Sequence, residues 1–301
     1  MSNFDETMKK AENPKKSPEE YKAMMQQRRE QRSRDVEAAL NKAVSSADEF
    51  LSFLSVQSHF DRYSLDNNLL IYAQRPTATR LQSVEDWNAE KKWVKEGAKA
   101  VYIYEMQKKV KDGVTYNNMI RKAKFDVTDL QDAPEEKPVP YSVREIGKAL
   151  FDSKTVTVRT VPDYPEDRQF GALYDAEDNC IYLRPNMPIE NIVMDVTMAL
   201  AHAKMAKDNP DYNAADYQFE ARCTAYVVAQ KFGIDAKHIG LTGLPAFYGN
   251  GDFKQIHERL QLLHDNVYDI AGGMNLALMK MKAKEKENAP KAKTARGGDA
   301  R

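Results

Sequence analysis

The stretch from Tyr63 to Tyr104 constrains the fold of this chain more than any other, because two residue sets alternate in it. The apolar set predicts a core and comprises Leu65, Leu69, Leu70, Ile71, Val101 and Ile103. The second set mixes cations, amides and aromatics, and it comprises Tyr63, Asn67, Asn68, Arg75, Arg80, Lys91, Lys92, Trp93, Lys95, Lys99 and Tyr102. Cations beside aromatic rings suit single-stranded nucleic acid, since charge follows the phosphates and rings stack on bases. A core with a solvated basic face is the simpler interpretation of the same pattern.

Charge is unevenly distributed, although the 301 residues sum to a net charge of zero. Residues 59–124 hold 13 Lys and Arg against 8 Asp and Glu, and residues 280–301 hold 8 against 3, so each segment carries +5. Residues 125–279 carry −10. A polyanionic partner is therefore compatible with the neutral total, because the local field governs encounter.

The composition indicates a soluble protein, with 42% hydrophobic and 30% charged residues. No apolar run is long enough for a bilayer, and the N-terminus is charged rather than signal-like. Cys180 and Cys223 make neither a disulfide framework nor a repeated metal spacing. These features predict a cytoplasmic protein without a membrane partner.

Helical and strand periodicities predict an α+β fold in five segments. Residues 1–34 form a flexible polar segment that could still be helical from Glu19, and residues 35–132 form the first domain. A Pro-rich linker over 133–141 leads to a second, helical domain over 142–281 that has a small β-hairpin, and 282–301 is a disordered basic tail. Within the first domain we expect one short helix to carry both Trp87 and Trp93 and to end near Gly97, and we expect a hairpin turn at Asp112-Gly113.

The order of motifs in the first domain resembles the N-terminal domain of the ArdC antirestriction family. Asn67-Asn68-Leu69-Leu70-Ile71 is followed by Gln74-Arg75-Pro76, a Trp-bearing helix and Val94-Lys95-Glu96-Gly97-Ala98-Lys99-Ala100 before a strand. The family's usual pattern has a basic residue at position 96, Glu at 98 and Gly at 100. This chain differs at all three positions, with Glu96, Ala98 and Ala100. Phe125-Asp126-Val127 is similar to a strand near the end of that domain. The resemblance, over about Asp35 to Asp132, implies binding of single-stranded DNA.

The second domain resembles a zincin peptidase whose metal site has degenerated. Zincins carry His-Glu-x-x-His, in which two His bind zinc and the Glu activates water. This chain has Met198-Ala199-Leu200-Ala201-His202 there, and Glu220 matches the third ligand. A thioether is a poor zinc ligand, Ala199 cannot move a proton, and a catalytic zinc needs three protein ligands. The resemblance therefore implies an inactive, zincin-like domain with no cofactor, in which Met198, Ala199, His202 and Glu220 are vestigial metal-site positions.

Other interpretations of the second domain remain open. A rebuilt metal site could use Asp195, Cys223, His238 or His257, whereas the simplest structural interpretation packs His202 against Glu220. The preferred function is that of a single-stranded-DNA-binding protein of a mobile genetic element, similar to ArdC and LtrC-like proteins, that protects or handles transferred DNA. Its further partners would be restriction or conjugation proteins. The alternatives are an active zinc metallopeptidase with a rebuilt site and an acidic protein–protein interaction module.

Overall fold

A computed structural model describes residues 17–111, 114–135, 138–165, 168–207 and 209–288. Within these residues it has the expected α+β class, with long helices and two three-stranded sheets. The N-terminal half contains helices α1 (Pro18–Ala43), α2 (Ala47–His59), α3 (Leu65–Gln74) and α4 (Val84–Ala89), and strands β1 (Leu81–Gln82), β2 (Val101–Lys111) and β3 (Val114–Asp126). The C-terminal half contains helices α5 (Val143–Ser153), α6 (Ile189–Ala206), α7 (Ala214–Lys231), α8 (Ala246–Asn250) and α9 (Phe253–Asn288), and strands β4 (Thr157–Thr160), β5 (Ala172–Asp175) and β6 (Cys180–Leu183).

The first helix crosses the boundary that was predicted at residue 34. Ser17 caps α1 by accepting the Glu20 N–H at 3.1 Å, while the Glu20 carboxylate accepts the Ser17 N–H at 2.8 Å. From this capping box the helix continues to Ala43, where apolar residues such as Leu40 are buried. Residues 18–34 are therefore the first part of a longer helix, and the predicted boundary at residue 34 falls inside this helix. The rest of the predicted N-terminal segment lies outside the described residues.

Helix α4 carries Trp87 but not Trp93, which corrects the expectation of one helix for both. The N–H of Lys92 donates to the Trp87 carbonyl and the N–H of Lys91 donates to the Asn88 carbonyl, at 3.0 and 2.9 Å. Lys91 has a φ of +59°, the left-handed conformation that closes this kind of helix end. The chain therefore leaves the helix before Trp93, and Gly97 lies in the loop beyond it.

The first sheet is dominated by the long antiparallel pair β2–β3, in which Tyr102 lies opposite Ala123 and Tyr104 opposite Arg121. Strand β1 pairs with the other edge of β3. Two amide side chains of α3 bind the backbone along β2. The Asn67 amide exchanges bonds of 2.8 and 2.9 Å with Tyr104, and the Gln74 amide exchanges two bonds of 2.9 Å with Tyr102. The predicted turn at residues 112 and 113 lies outside the described part of the chain.

The second sheet places β6 between β4 and β5, parallel to the first and antiparallel to the second. The hairpin of β5 and β6 was expected from the sequence, as was the predominance of helices in this half of the chain. Helix α9 continues to Asn288, so the predicted start of a basic tail at residue 282 falls inside a helix. Residues 289–301 of that predicted tail lie outside the described ranges.

Two hydrophobic clusters hold the structure together, and one of them joins both halves of the chain. The first cluster surrounds α6 in the C-terminal half, with residues such as Ile146, Ile181 and Val196. The second contains Leu54 and Leu65 of the N-terminal half together with residues of α7 and α9 such as Val227 and Leu260. The predicted division into two domains remains a prediction, and the packing adds that the two segments share a core. No helix in the described ranges is both long and apolar enough to cross a membrane.

Candidate functional site

The loop from residue 90 to residue 100 presents Trp93 to solvent in a fixed position. Val94 forms an antiparallel bridge with Leu130, and the Gln131 N–H donates to the Trp93 carbonyl at 2.9 Å. The Lys95 N–H donates to the carbonyl of Asp129 at 2.8 Å. The Trp93 side chain is nevertheless 54% exposed. A large apolar ring is thus held on a rigid backbone with its face available.

Three exposed lysines accompany Trp93 on this loop. Lys91 precedes it, and Lys95 and Lys99 follow it. The Lys95 ammonium donates to the Thr128 carbonyl at 3.2 Å, which orients the side chain without neutralising its charge. Within the described part of the chain, Lys91 and Lys99 have no ion-pair partner. Residues 90–100 also contain Glu90 and Glu96, so the four lysines leave a net positive charge beside an exposed aromatic ring.

Two predicted DNA-contacting cations, Arg80 and Lys92, make ion pairs within the protein, at its surface. Arg80 and Lys92 form ion pairs with Glu90 at 2.5 and 3.2 Å. Both also lie over the ring of the buried Trp87, at 4.8 and 5.5 Å from its centroid. The Trp87 indole N–H donates to the Phe125 carbonyl at 3.0 Å. Arg80 and Lys92 therefore fix α4 to its surroundings.

Arg75 also has a structural role. Its guanidinium pairs with Asp129 at 2.5 Å and donates to the Lys99 carbonyl at 3.3 Å. The Arg75 side chain thereby connects the end of α3 to Lys99 of the loop that carries Trp93, and to Asp129, whose carbonyl accepts the Lys95 N–H. Arg75 therefore lies beside Lys99, but the Arg75 charge is already paired with Asp129.

Three other predicted contact residues are buried or half-buried. Asn67 is buried and bonded to the β2 backbone, and Asn68 is completely buried, with no partner for its amide among the described residues. Tyr63 is half-buried and packs 5.8 Å from the Phe60 ring, and burial raises the pKa of its hydroxyl. Burial of the Asn67 and Asn68 side chains leaves little of either available to a ligand, and their contact with nucleic acid stays a prediction.

A groove of about 430 Å³ runs between α1, α3 and the outer face of the β2–β3 pair. Tyr102 and Tyr104 line it from β2, Arg121 from β3 and Lys42 from α1. The guanidinium carbon of Arg121 lies 3.8 Å from the centroid of the Tyr102 ring, and Tyr102 is 38% exposed. The groove therefore combines cations with aromatic faces, as single-strand sites do.

Sequence analysis placed Tyr102 in the candidate site but missed its cationic neighbours. Arg121 belongs to the returning strand, and only the register that sets it opposite Tyr104 brings it to this face. Lys42 lies in α1, 4.9 Å from the centroid of the Tyr72 ring. The alternation of β3 was the available signal for Arg121, whereas nothing local in the sequence points from α1 to β2.

In the C-terminal half, His202 and Met198 of α6 face Gln218 of α7. The His202 Nε2 lies 3.1 Å from the Gln218 carbonyl oxygen, and the Gln218 amide nitrogen donates to the Met198 sulfur at 3.4 Å. The His202 Nδ1 lies 2.5 Å from the Tyr212 hydroxyl. Since an amide oxygen only accepts, Nε2 carries the imidazole proton and Nδ1 accepts from Tyr212. Burial lowers the pKa of His202, which favours this neutral form.

Glu220 points away from this cluster, which corrects the expectation that it packs against His202. Its carboxylate is fully buried and pairs with Arg259 of α9 through bonds of 2.9 and 3.0 Å. The Tyr248 hydroxyl donates to it at 2.7 Å. The α7 position that faces Met198 and His202 is therefore Gln218, two residues before the position that the motif indicates.

The residues suggested for a rebuilt site lie in three separate places. Asp195 pairs with His238 at 2.8 Å and accepts the Gly171 N–H at 2.7 Å, and burial raises the pKa of Asp195. His257 pairs with Asp66 at 2.9 Å. Cys223 is buried, and its surroundings raise the pKa of the thiol well above the usual value.

A metal site of the zincin type does not fit the side chains around His202. In the described ranges no group of three or more His, Cys, Asp or Glu could hold a metal ion. Met198 offers a thioether, Gln218 offers an amide and Ala199 offers nothing, so His202 supplies the single good zinc ligand of this cluster.

Solved structures of the antirestriction protein ArdC from plasmid R388 are similar to this chain. Its metal-free structure matches with a TM-score of 0.42 and 12% identity, over 74% of this chain and 86% of that chain. Its Mn(II)-bound structure matches with a TM-score of 0.43 and 11% identity, over 72% and 84%. No family model matches the chain, and no curated protein matches its sequence. The structural neighbours thus agree with the resemblance seen in the sequence, as a distant match of fold.

The comparison overturns one expectation from the sequence. We expected no cofactor and considered zinc unlikely, but ArdC from R388 has a structure with Mn(II) bound. The expectation that no metal takes part is therefore withdrawn.

Proposed function

We propose that this chain binds single-stranded DNA along a surface that runs from Trp93 to the groove at Tyr102 and Arg121. The observation that carries the proposal is the pair of exposed aromatic rings, Trp93 and Tyr102, each accompanied by cations on a fixed backbone. With the resemblance of the sequence to ArdC, this surface favours an antirestriction-like protein of a mobile genetic element. Restriction or conjugation proteins are its further proposed partners.

Fixed geometry supports the role of Trp93. Stacking of a base on an aromatic ring contributes about 1–3 kcal/mol, and this gain is reduced when the ring must first be ordered. The bridge to Leu130 and the bonds to Asp129 and Gln131 hold the loop already. The exposed ammonium groups of Lys95 and Lys99 can then lie along the phosphates of the same strand.

The loop and the groove are directly connected through the end of α3. Arg75 binds the Lys99 carbonyl, and the preceding residue, Gln74, binds the backbone of Tyr102 and lines the groove. In this proposal a strand that leaves Trp93 passes Lys99 and reaches Tyr102. The two rings are also close in sequence, since the segment from Trp93 to Tyr102 has ten residues.

The arrangement favours single strands over duplexes because both rings need unpaired bases. A duplex conceals its base faces by stacking them on each other, so it offers this surface its phosphates alone. The measurement is fluorescence anisotropy with one labelled oligonucleotide, free and annealed to its complement, at equal ionic strength. We expect tighter binding of the single strand, and equal affinity for the two forms would contradict the proposal.

As part of the same function, we propose that the α6–α7 region does not hydrolyse peptides by the zincin route. Ala199 occupies the position of the general base and has no ionisable group, and its side chain is buried. Position 199 lacks a general base whether or not a metal binds elsewhere. Incubation with an unfolded protein substrate and added Zn²⁺ or Mn²⁺ should give no cleavage, and cleavage abolished by a His202→Ala substitution would contradict this part.

A further inference from the structure

A second cavity lies between α1, α3 and α9, beyond the groove. It has a volume of about 330 Å³ and joins the two halves of the chain. Its side chains include two arginines, a hydroxyl, an imidazole, a carboxylate and an aromatic ring, namely Arg29, Arg32, Ser33, His257, Asp66 and Phe253. This composition matches an anionic ligand with a flat apolar group, which is the chemistry of a nucleotide.

The cavity has an excess of positive charge. Asp66 is the single carboxylate among the residues that line it, and its two oxygens pair with His257 at 2.9 Å and Arg32 at 2.5 Å. The hydrogen bond from His257 is the main cause that lowers the pKa of Asp66, so this carboxyl stays ionised. Arg29 is exposed and has no ion-pair or hydrogen-bond partner in the described part of the chain. Its charge remains available for a ligand phosphate.

Arg32 forms a common wall of the groove and the cavity. Its guanidinium carbon lies 5.5 Å from the ring centroid of Tyr104, which lines the groove, while the same group pairs with Asp66 in the cavity. Asp35, one turn further along α1, also lines the groove. The two concavities are therefore consecutive along one face of α1.

The α9 side of the cavity also carries an aromatic ring, that of Phe253. Phe253 lies 5.5 Å from the imidazole of His257, with an angle of 40° between the rings, and it is half-buried. The ring of Phe253 and the guanidinium of Arg29 thus repeat, across the cavity, the combination of a stacking surface and a cation found at Tyr102.

We infer that a bound single strand continues from the groove past Tyr104 into this cavity, where Arg29 and His257 contact a phosphate. This inference rests on the proposed single-strand binding and extends it, because it makes α9 part of the DNA-binding surface. The predicted DNA-binding segment, residues 35–132, contains neither Arg29 nor His257.

The test is a series of single strands of increasing length, measured with the full chain and with Arg29→Ala and His257→Gln. The control is Arg28→Ala, which removes an equally exposed arginine from the neighbouring position of α1, outside the residues that line the cavity. We expect both cavity variants to bind short strands as tightly as the wild type does. As the strand is lengthened, their affinity should stop rising at a shorter length than the affinity of the wild type. For long strands, Arg29→Ala should also reduce the slope of log K against log salt by about 0.7, whereas Arg28→Ala should leave this slope unchanged.

The outcomes separate this inference from the proposed function. If Trp93→Ala weakens binding while Arg29→Ala and Arg28→Ala behave alike at every length, the function stands and the extension is overturned. If no single strand binds, both are overturned. Inorganic phosphate provides the second probe, through the NMR signals of the His257 ring. Signals that respond to phosphate but not to a long oligonucleotide would show a site for the free ion and would also overturn the extension.

Discussion

Arg121 holds its guanidinium carbon 3.8 Å from the ring centroid of Tyr102, diagonally across the β2–β3 pair. This contact keeps a cation against one face of the ring, in the wall of the groove. Such a contact contributes about 0.5–1 kcal/mol at an exposed site and orders both side chains. The proposed surface therefore has one preorganised stacking position in the groove and another at Trp93.

The salt dependence of binding should report the unpaired lysines. Replacing Lys99 by Gln should reduce the slope of log K against log salt by about 0.7, because one phosphate contact is lost. Lys148→Gln is the control, since Lys148 is exposed and pairs with Asp152 on α5. Equal slopes for the two variants, measured by anisotropy at several salt concentrations, would mean that Lys99 is only solvated surface.

Stability should fall as the pH falls below about 6.5, the usual pKa of histidine. Burial lowers the pKa values of His202 and His264 in the folded state, so the unfolded chain takes up protons first. Each such group then costs at most about 1.4 kcal/mol of unfolding free energy per pH unit. Urea titrations from pH 7.5 to pH 5 should show a shallower loss for His202→Gln than for the wild type. An unchanged loss would indicate that His202 does not remain neutral.

The ion pair of Glu220 and Arg259 should be needed for stability. Arg259→Met leaves the fully buried Glu220 without its cation, which costs about 3–5 kcal/mol of unfolding free energy. In Glu220→Gln with Arg259→Met the charge is gone, so the double variant should be more stable than Arg259→Met alone. Denaturant unfolding of the wild type, the two single variants Arg259→Met and Glu220→Gln, and the double variant measures this. A double variant destabilised by the sum of the two single changes would contradict the pairing.

Helix ends and the fold class could be predicted because their signals are local. Ser64 is of a residue type that favours helix N-caps, and it caps α3 by accepting the Asn67 N–H at 3.3 Å. The end of α4 could not be predicted because Lys91 adopts the left-handed conformation there, whereas Gly is the residue that usually marks such a helix end in a sequence. The local pattern favoured a longer helix, and the backbone bonds of Trp93 to the segment after β3 determined otherwise.

The candidate sites were harder to predict, because they depend on which helix face meets which neighbour. The motif made Glu220 the partner of His202, but α7 is rotated so that Gln218 faces α6 and Glu220 faces α9. Similarly, Asn67 and Asn68 carry the right chemistry for nucleic acid but lie on the buried side of α3. One sequence fixes the residue types, whereas the rotation of a helix depends on all its contacts.

The orientation of α7 can be tested by building a metal site. Met198→His with Gln218→Glu should add about one equivalent of bound zinc relative to the wild type, since three ligands then converge near His202. The control is Met198→His alone. This variant should bind zinc only if Glu220, rather than residue 218, supplies the third ligand. Elemental analysis after dialysis gives the result, and equal zinc contents for the two variants would contradict the orientation.

The most direct test of the central claim compares exposed aromatic rings. Trp93→Ala and Tyr102→Ala should each weaken single-strand binding by about 1–3 kcal/mol and leave duplex binding nearly unchanged. Tyr268→Ala is the matched control, because this α9 residue is 43% exposed and holds Arg62 4.5 Å from its ring centroid. If all three variants bind the same single strand as tightly as the wild type does, the proposed surface does not bind DNA by stacking.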